Sequence, residues 1–150
     1  MTSQPVASTP ESFRSVELAK IGDHRFKAMN ARGGETYFGT GGEDPDFTPV
    51  EMLLAAIAGC AALDVDAIAG KRANAEGFTV TASGDKVRDE QGNHLVNLTV
   101  AFDITFPEGE AGDAARSILP RALEQTRDRL CAVSRTVALG EQVRFDQLAT

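Results

Sequence analysis

The two thiols are the side chains of this protein best suited to do chemistry. Cys60 sits in "TPVEMLLAAIAGCAALD", residues 48–64, where positions 52–63 carry no polar side chain apart from that thiol; Cys131 lies far along the chain in "RDRLCAVSRTVA". Free cysteine is among the most buried residue types, so each could be no more than a small hydrophobe in a core. The alternative is redox chemistry: Cys60, in an apolar pocket, is oxidised to a sulfenic acid that Cys131 condenses with as a disulfide. That reading needs a thiolate. Burial alone raises a thiol pKa, so it also needs a nearby cation, and a Cys60 pKa well below about 8.5 would report one. Arg127, Arg129 and Arg135 flank Cys131, while Arg25 and Arg32 lie in the N-terminal segments. Asp64, one turn after Cys60, would repel a thiolate unless an arginine lay between them.

Other chemistries lack a signature. There is no His-x-x-x-His, Cys-x-x-Cys, Gly-x-Ser-x-Gly or dinucleotide fingerprint, so neither a metal nor an organic cofactor is implied. Cys60, Cys131, His24 and His94 could in principle bind zinc, but their spacing fits no recurrent pattern. A net charge of -7 and a pI near 4.8 offer phosphates no electrostatic footprint, so a nucleic-acid partner is not expected. Residues 1–15 lack a basic head followed by an apolar run, and no uninterrupted apolar stretch reaches the roughly 20 residues of a membrane span. The expectation is a cytoplasmic protein with no membrane partner. Two cysteines in a reducing compartment make any disulfide a transient one.

These side chains need elements to hold them. At 150 residues, 42% apolar and 25% charged, the chain has the composition of one ordinary globular domain. Residues 1–15 mix small polar residues with prolines and read as a flexible tail, leaving 16–150 as a single domain. "VELAKIG", "RFKAMNA" and "ETYFG", separated by turn signals at Gly22-Asp23 and Gly33-Gly34, predict a three-stranded meander. Glycine-rich, acidic residues 39–47 form a loop. Thr48 as N-cap, Pro49 at the first helical position and Glu51 three after the cap then open a helix running to Gly70-Lys71. Being apolar around its whole circumference from 52 to 63, this helix must be wrapped by other elements or by a second subunit. Phe78, Val80 and Ala82, then Val96, Leu98, Val100, Phe102, Ile104 and Phe106, alternate with mostly polar residues, giving a long antiparallel hairpin joined through "DEQGNH". Residues 113–130 turn helical, with Pro120 expected to kink or divide the helix. "VRFDQLA" near the C-terminus could return as a last strand.

The pattern Thr-Pro-x-Glu, a Leu/Ala run, Gly-Cys and then Asp-Val, followed much later by Leu-Cys-x-Val-Ser-Arg-Thr, resembles the OsmC/Ohr family of osmotically inducible protein C and organic hydroperoxide resistance proteins. "TPVEMLLAAIAGCAALDV" (48–65) and "RDRLCAVSRTV" (127–137) carry the resemblance, which is nearer the OsmC-like subgroup than Ohr proper. It implies an α+β, OsmC-like fold, in which antiparallel sheets wrap two long central helices in an intertwined homodimer. It also implies peroxidase activity on small organic hydroperoxides in oxidative stress defence, with Cys60 at the peroxidatic position, Cys131 at the resolving one, and a dithiol reductant, often lipoyl-linked. In the hydroperoxide resistance branch a glutamate directly after the proline pairs with an arginine that activates the thiol. Here that place is Val50, and Glu51 comes one later, a rotation of about 100° on a helix; Glu51 is therefore either a charge partner or only a cap, and Arg25 and Arg32 are both candidates for the activating cation. Two readings of other classes stand beside the enzyme: a dimeric module binding a small apolar ligand without turnover, and a redox sensor oxidised once per chain.

Overall fold

A computed structural model describes residues 8–149. The expected tail falls partly outside them: residues 1–7 are not described, and residues 8–15 hold one turn, closed by reciprocal Thr9 and Ser12 hydrogen bonds, ahead of the first strand. The chain divides into two compact units, one up to Met52 and one from Leu53 onward.

The first unit is the expected meander. Strands β1 (Val16–Gly22), β2 (Arg25–Asn30) and β3 (Glu35–Phe38) pair antiparallel in the order β1-β2-β3. His24 takes a positive φ of 55° in the tight turn between β1 and β2, a strained conformation for a residue with a Cβ. The acidic loop that follows is pinned by Arg25, whose guanidinium pairs with Asp44 at 3.2 Å and also with Asp46. This arrangement holds the Arg25 pKa above its ordinary value, with Asp46 the larger cause.

Helix α1, Pro49–Ala69, begins where the sequence places it. Both halves of the capping box are made: the Glu51 N–H donates to Thr48 Oγ1 at 3.2 Å, and the Thr48 N–H donates to Glu51 Oε1 at 3.1 Å. Those bonds satisfy two amide donors that the first turn would otherwise leave unpaired. Beyond the other end, the guanidinium of Arg72 donates to the Ile68 carbonyl at 3.1 Å, a cation placed where the helix dipole favours it. Ile57, Ala61, Val65 and Ala69 form a buried stripe at i, i+4 spacing, whereas Leu63 is 75% exposed. By length and composition this helix could cross a bilayer. That corrects the expectation that nothing in the chain reaches span length: Asp64 and Asp66 interrupt the apolar run, but a helix-wide average tolerates them.

In the second unit, β4 (Gly77–Asp89) and β5 (Gly92–Thr105) form the predicted hairpin, longer than its apolar alternation suggested. Phe78 faces Ile104, Val80 faces Phe102 and Ala82 faces Val100, so the inward side chains meet as cross-strand pairs. The register slips between Ser83 and Asp85, opposite Asn97, whose φ is 56°. One extra residue in β5 at this bulge shifts the strand's phase, and Leu98 is accordingly left 39% exposed, outside the run of covered positions that continues from Val100 to Phe106. Gly84 is needed there, because a Cβ would stand 2.9 Å from Leu98 Cδ2.

Helix α2, Glu110–Gln125, continues through Pro120 instead of dividing there. The break in winding comes later, as one π-helical turn, α3 (Thr126–Leu130), before a short helix α4 (Ala132–Leu139) that the sequence reading left unassigned. Ala69, Phe106 and Ala115 centre a small core, with Ile104, Ile118 and Leu119 packed on it. The expected last strand is absent among the described residues: 141–149 carry no regular structure, and Val143, Phe145 and Leu148 are 78%, 93% and 83% exposed. Strand alternation in so short a segment needs a free sheet edge to pair with, and it makes none.

Since the Thr48 hydroxyl closes the helix start, Thr48→Ala should lower unfolding stability by about 1 kcal/mol; equal denaturation midpoints for the two proteins would contradict this. The Glu51 carboxyl is held below its ordinary value of 4.5 mainly by the Thr48 backbone. Its contribution is therefore present above pH 4.5 and is lost as pH falls through the lowered folded-state pKa, so the Thr48→Ala deficit should shrink in acid.

Candidate functional site

The site grows from two short pieces of helix geometry. On α1, Cys60 and Asp64 are four residues apart, so they lie one above the other on the same face. Cys131 comes from the break after α2. Its N–H donates to the Thr126 carbonyl at 2.9 Å, five residues back, closing the widened turn. Its own backbone is extended (φ -74°, ψ 100°), and its sulfur caps α4, accepting the Ser134 N–H at 3.4 Å while sharing a hydrogen bond with the Ser134 hydroxyl at 3.3 Å. Such π-helical turns often mark functional positions, because the extra residue re-aims a side chain that a continuous α-helix would point elsewhere.

The two pieces converge. Cys60 Sγ, Cys131 Sγ and an Asp64 carboxylate oxygen all lie within 4.8 Å of one another. Both cysteines are free thiols; Cys60 is half-buried and Cys131 is fully buried. Cys131 joins Cys60 and Asp64 in this cluster. Asp64 Oδ2 is buried and has no hydrogen-bond partner among the described residues.

This environment separates the two thiols. Burial pushes the Cys60 thiol above its ordinary value; the Val133 N–H works against that rise, and Cys131 and Asp64 add to it. Burial acts on Cys131 in the same direction but is outweighed by the Ser134 hydroxyl and N–H, then by Cys60 and the Val133 N–H, so that Cys131 is held below its ordinary value. Hydrogen bonds aimed at a sulfur favour its charged form, as a helix N-terminus does. Within the described unit, then, the sulfur that ionises more readily is Cys131, whereas Cys60 is the more exposed of the two.

The remaining candidates belong to the first unit or lie away from the sulfurs. Glu51 is engaged in the helix cap. Arg25 is neutralised by Asp44 and Asp46, and Arg32, in the turn after β2, makes no ion pair among the described residues. Arg127 pairs with Asp128 at 2.6 Å. His94 stands 3.7 Å from Asp89 at the hairpin turn, and neither it nor His24 joins the thiol cluster. The residue that the sequence reading undervalued is Asp64. Its Cys-x-x-x-Asp spacing was visible, but it was read as a repulsive neighbour and not as a member of the cluster.

Beside the cluster lies a cavity of about 550 Å³. Leu54, Ile57 and Ala61 of α1, Phe102 of the hairpin and Leu123 of α2 give it apolar walls, and the polar part comes from Cys131 and Ser134 together with Thr126, Glu124 and Arg127. A space of this size and character suits a small, mostly apolar molecule.

If Ser134 sets the Cys131 ionisation, Ser134→Ala in a Cys60→Ser background should raise the Cys131 pKa, read from the pH dependence of ultraviolet thiolate absorbance. An unchanged midpoint would assign the lowering to some other group.

Comparison with known proteins bears on the family and the fold. The model of the family described as OsmC-like protein matches residues 41–146. The chain is 26% identical over 130 residues to an uncharacterized protein of Mycobacterium tuberculosis, covering 86% of this chain and 92% of that one. Its fold is similar to that of an OsmC-like protein of unknown function from Vibrio cholerae, with a TM-score of 0.69 at 16% identity over 83% of this chain and 93% of the other. An organic hydroperoxide resistance protein OsmC from Legionella pneumophila aligns with a TM-score of 0.51 at 17% identity, over 82% and 88% of the two chains. With α1, the hairpin and both cysteine segments inside the matched region, and with antiparallel sheets and helices in the α+β arrangement of these neighbours, the chain belongs to the OsmC-like protein family.

Proposed function

We propose that the protein is a thiol-dependent peroxidase that reduces small organic hydroperoxides with the Cys60–Cys131 pair. The family, together with the hydroperoxide resistance named for the Legionella structure, supports a redox or peroxide-related role. The observation that carries the finer reading is the approach of two sulfurs, remote in sequence, to within 4.8 Å beside an apolar cavity. Side-chain rotation then suffices to form a bond of about 2.05 Å.

In this reading Cys60, the half-buried sulfur, meets the peroxide. Its thiolate attacks the distal oxygen of ROOH, the O–O bond breaks, and the alkoxide leaves as ROH after taking a proton; Cys60 becomes a sulfenic acid. The Cys131 sulfur, favoured as a thiolate by Ser134, attacks the Cys60 sulfur, forming the disulfide and releasing hydroxide, which is protonated to water. The two electrons delivered to the peroxide come from the cysteine pair, and an external dithiol, lipoyl-linked in the family pattern, restores both thiols. The raised Cys60 pKa means that turnover needs an activating cation beside the sulfur. Arg32 is the better candidate of the two proposed arginines, because Arg25 already faces two carboxylates.

A second copy of the chain is part of the proposal. Helix α1 leaves Leu63 75% exposed and Leu53 39% exposed on an otherwise apolar element, and faces of that kind mark association sites. The proposed setting is cytoplasmic, with no nucleic-acid or membrane partner.

Reduced protein mixed with cumene hydroperoxide and a dithiol should consume peroxide steadily. Cys60→Ser should fall to the buffer rate, and Cys131→Ser should stop after one equivalent, with a sulfenic acid trapped by dimedone. Consumption of only one equivalent by the unaltered protein would instead favour a sensor, and none at all a binding module that uses the cavity for an apolar ligand. Sedimentation should show a dimer that Leu63→Asp dissociates; a monomeric unaltered protein would remove the second copy from the proposal.

A further inference from the structure

The peroxidase reading uses the two sulfurs and leaves Asp64 without a role. Its Oδ2 is buried and unpartnered, and burying a carboxylate oxygen without a partner is costly. An Asp64 carboxylate oxygen lies within 4.8 Å of the two thiol sulfurs, so three groups that carry negative charge when ionised face one another. One positive ion at their centre would give the Asp64 oxygen a partner and bind both sulfurs.

We infer that in its dithiol form this cluster is a binding site for a thiophilic divalent cation of the zinc type, with Cys60 Sγ, Cys131 Sγ and an Asp64 carboxylate oxygen as its protein ligands. Zinc binds thiolate sulfur at about 2.3 Å and carboxylate oxygen at about 2.0–2.2 Å, which puts neighbouring donors of a tetrahedron roughly 3.4–3.8 Å apart. Donors already within 4.8 Å reach that geometry by side-chain rotation. Two of the ligands sit at i and i+4 on α1, a spacing by which one helix face presents a pair of donors to a metal. The third is held by the helix cap it forms at the start of α4. Two soft sulfurs select zinc over magnesium or calcium, which prefer all-oxygen sets. Binding replaces the two thiol protons by one cation, so two protons leave for each ion bound. The metal-bound state and the disulfide are then mutually exclusive, because both use the same sulfur electrons.

The inference rests on the geometry of the three donors and not on peroxide turnover, so either can fail alone. Reduced, metal-free full chain should take up one equivalent of zinc, measured against a chromogenic chelator. Cobalt alone should give a sulfur-to-metal charge-transfer band. Asp64→Asn, nearly isosteric and checked for native circular dichroism, should weaken zinc binding on the order of 10-fold or more. Cys60→Ser and Cys131→Ser should each lose the cobalt band, His24→Ala and His94→Ala should keep it, and protein oxidised to the disulfide should bind no zinc. Zinc held equally well by Asp64→Asn or by the disulfide form would overturn the assignment, as would no uptake at all. Should a cysteine variant fail to fold, the Asp64→Asn and oxidised samples still decide the question.

Discussion

The rest of the site depends on one convergence: a sulfur carried by the middle of a long apolar helix and a sulfur carried by a helix cap are brought within bonding reach, with a carboxylate beside both. Each partner is held by backbone hydrogen bonds that are local and therefore robust. α1 is started by the Thr48–Glu51 capping box and stabilised at its far end by Arg72. Cys131 is set by the five-residue turn from Thr126 and by its own role at the start of α4. What brings the two together is non-local: Ile57 and Ala61 line one cavity with Cys131 and with hairpin and α2 residues, and this turns two unremarkable thiols into a pair.

The pair is asymmetric in a way that its chemistry can use. Cys60 has the exposure and Cys131 the hydrogen bonds. A sulfur that meets a substrate needs access, and a sulfur that closes a disulfide needs only its partner and enough thiolate character to attack. Ser134 supplies that character from within α4, using one backbone donor and one hydroxyl. Asp64 adds negative charge at the same point, which argues that the resting cluster is incomplete without a positive group, whether a guanidinium during turnover or a metal ion at rest.

Several features were legible in the sequence for physical reasons. The capping box is a property of residues 48–51 alone, so the helix start was fixed to the residue. The meander and the hairpin announced themselves through turn residues and period-2 alternation. Where the reading strayed, longer-range terms had decided. The hairpin's inward face shifts phase at a bulge opposite Asn97, which strict alternation across Val96–Phe106 does not reveal. Pro120 stays inside α2, while the interruption falls at Thr126, where no proline or glycine marks it. "VRFDQLA" had the alternation of a strand but pairs with neither sheet.

The sequence by itself determined which residues could react, because thiols are identifiable by type, and it determined the helix that carries Cys60, because caps and periodicity act over a few residues. Only the tertiary structure decided that Cys60, Cys131 and Asp64 share one space, that Ser134 and not an arginine lies against Cys131, and that the Asp64 oxygen goes unpaired. Those outcomes depend on how α1 packs against the elements around α3 and α4, a sum of many weak contacts between segments far apart in the chain, and no local pattern encodes such a sum.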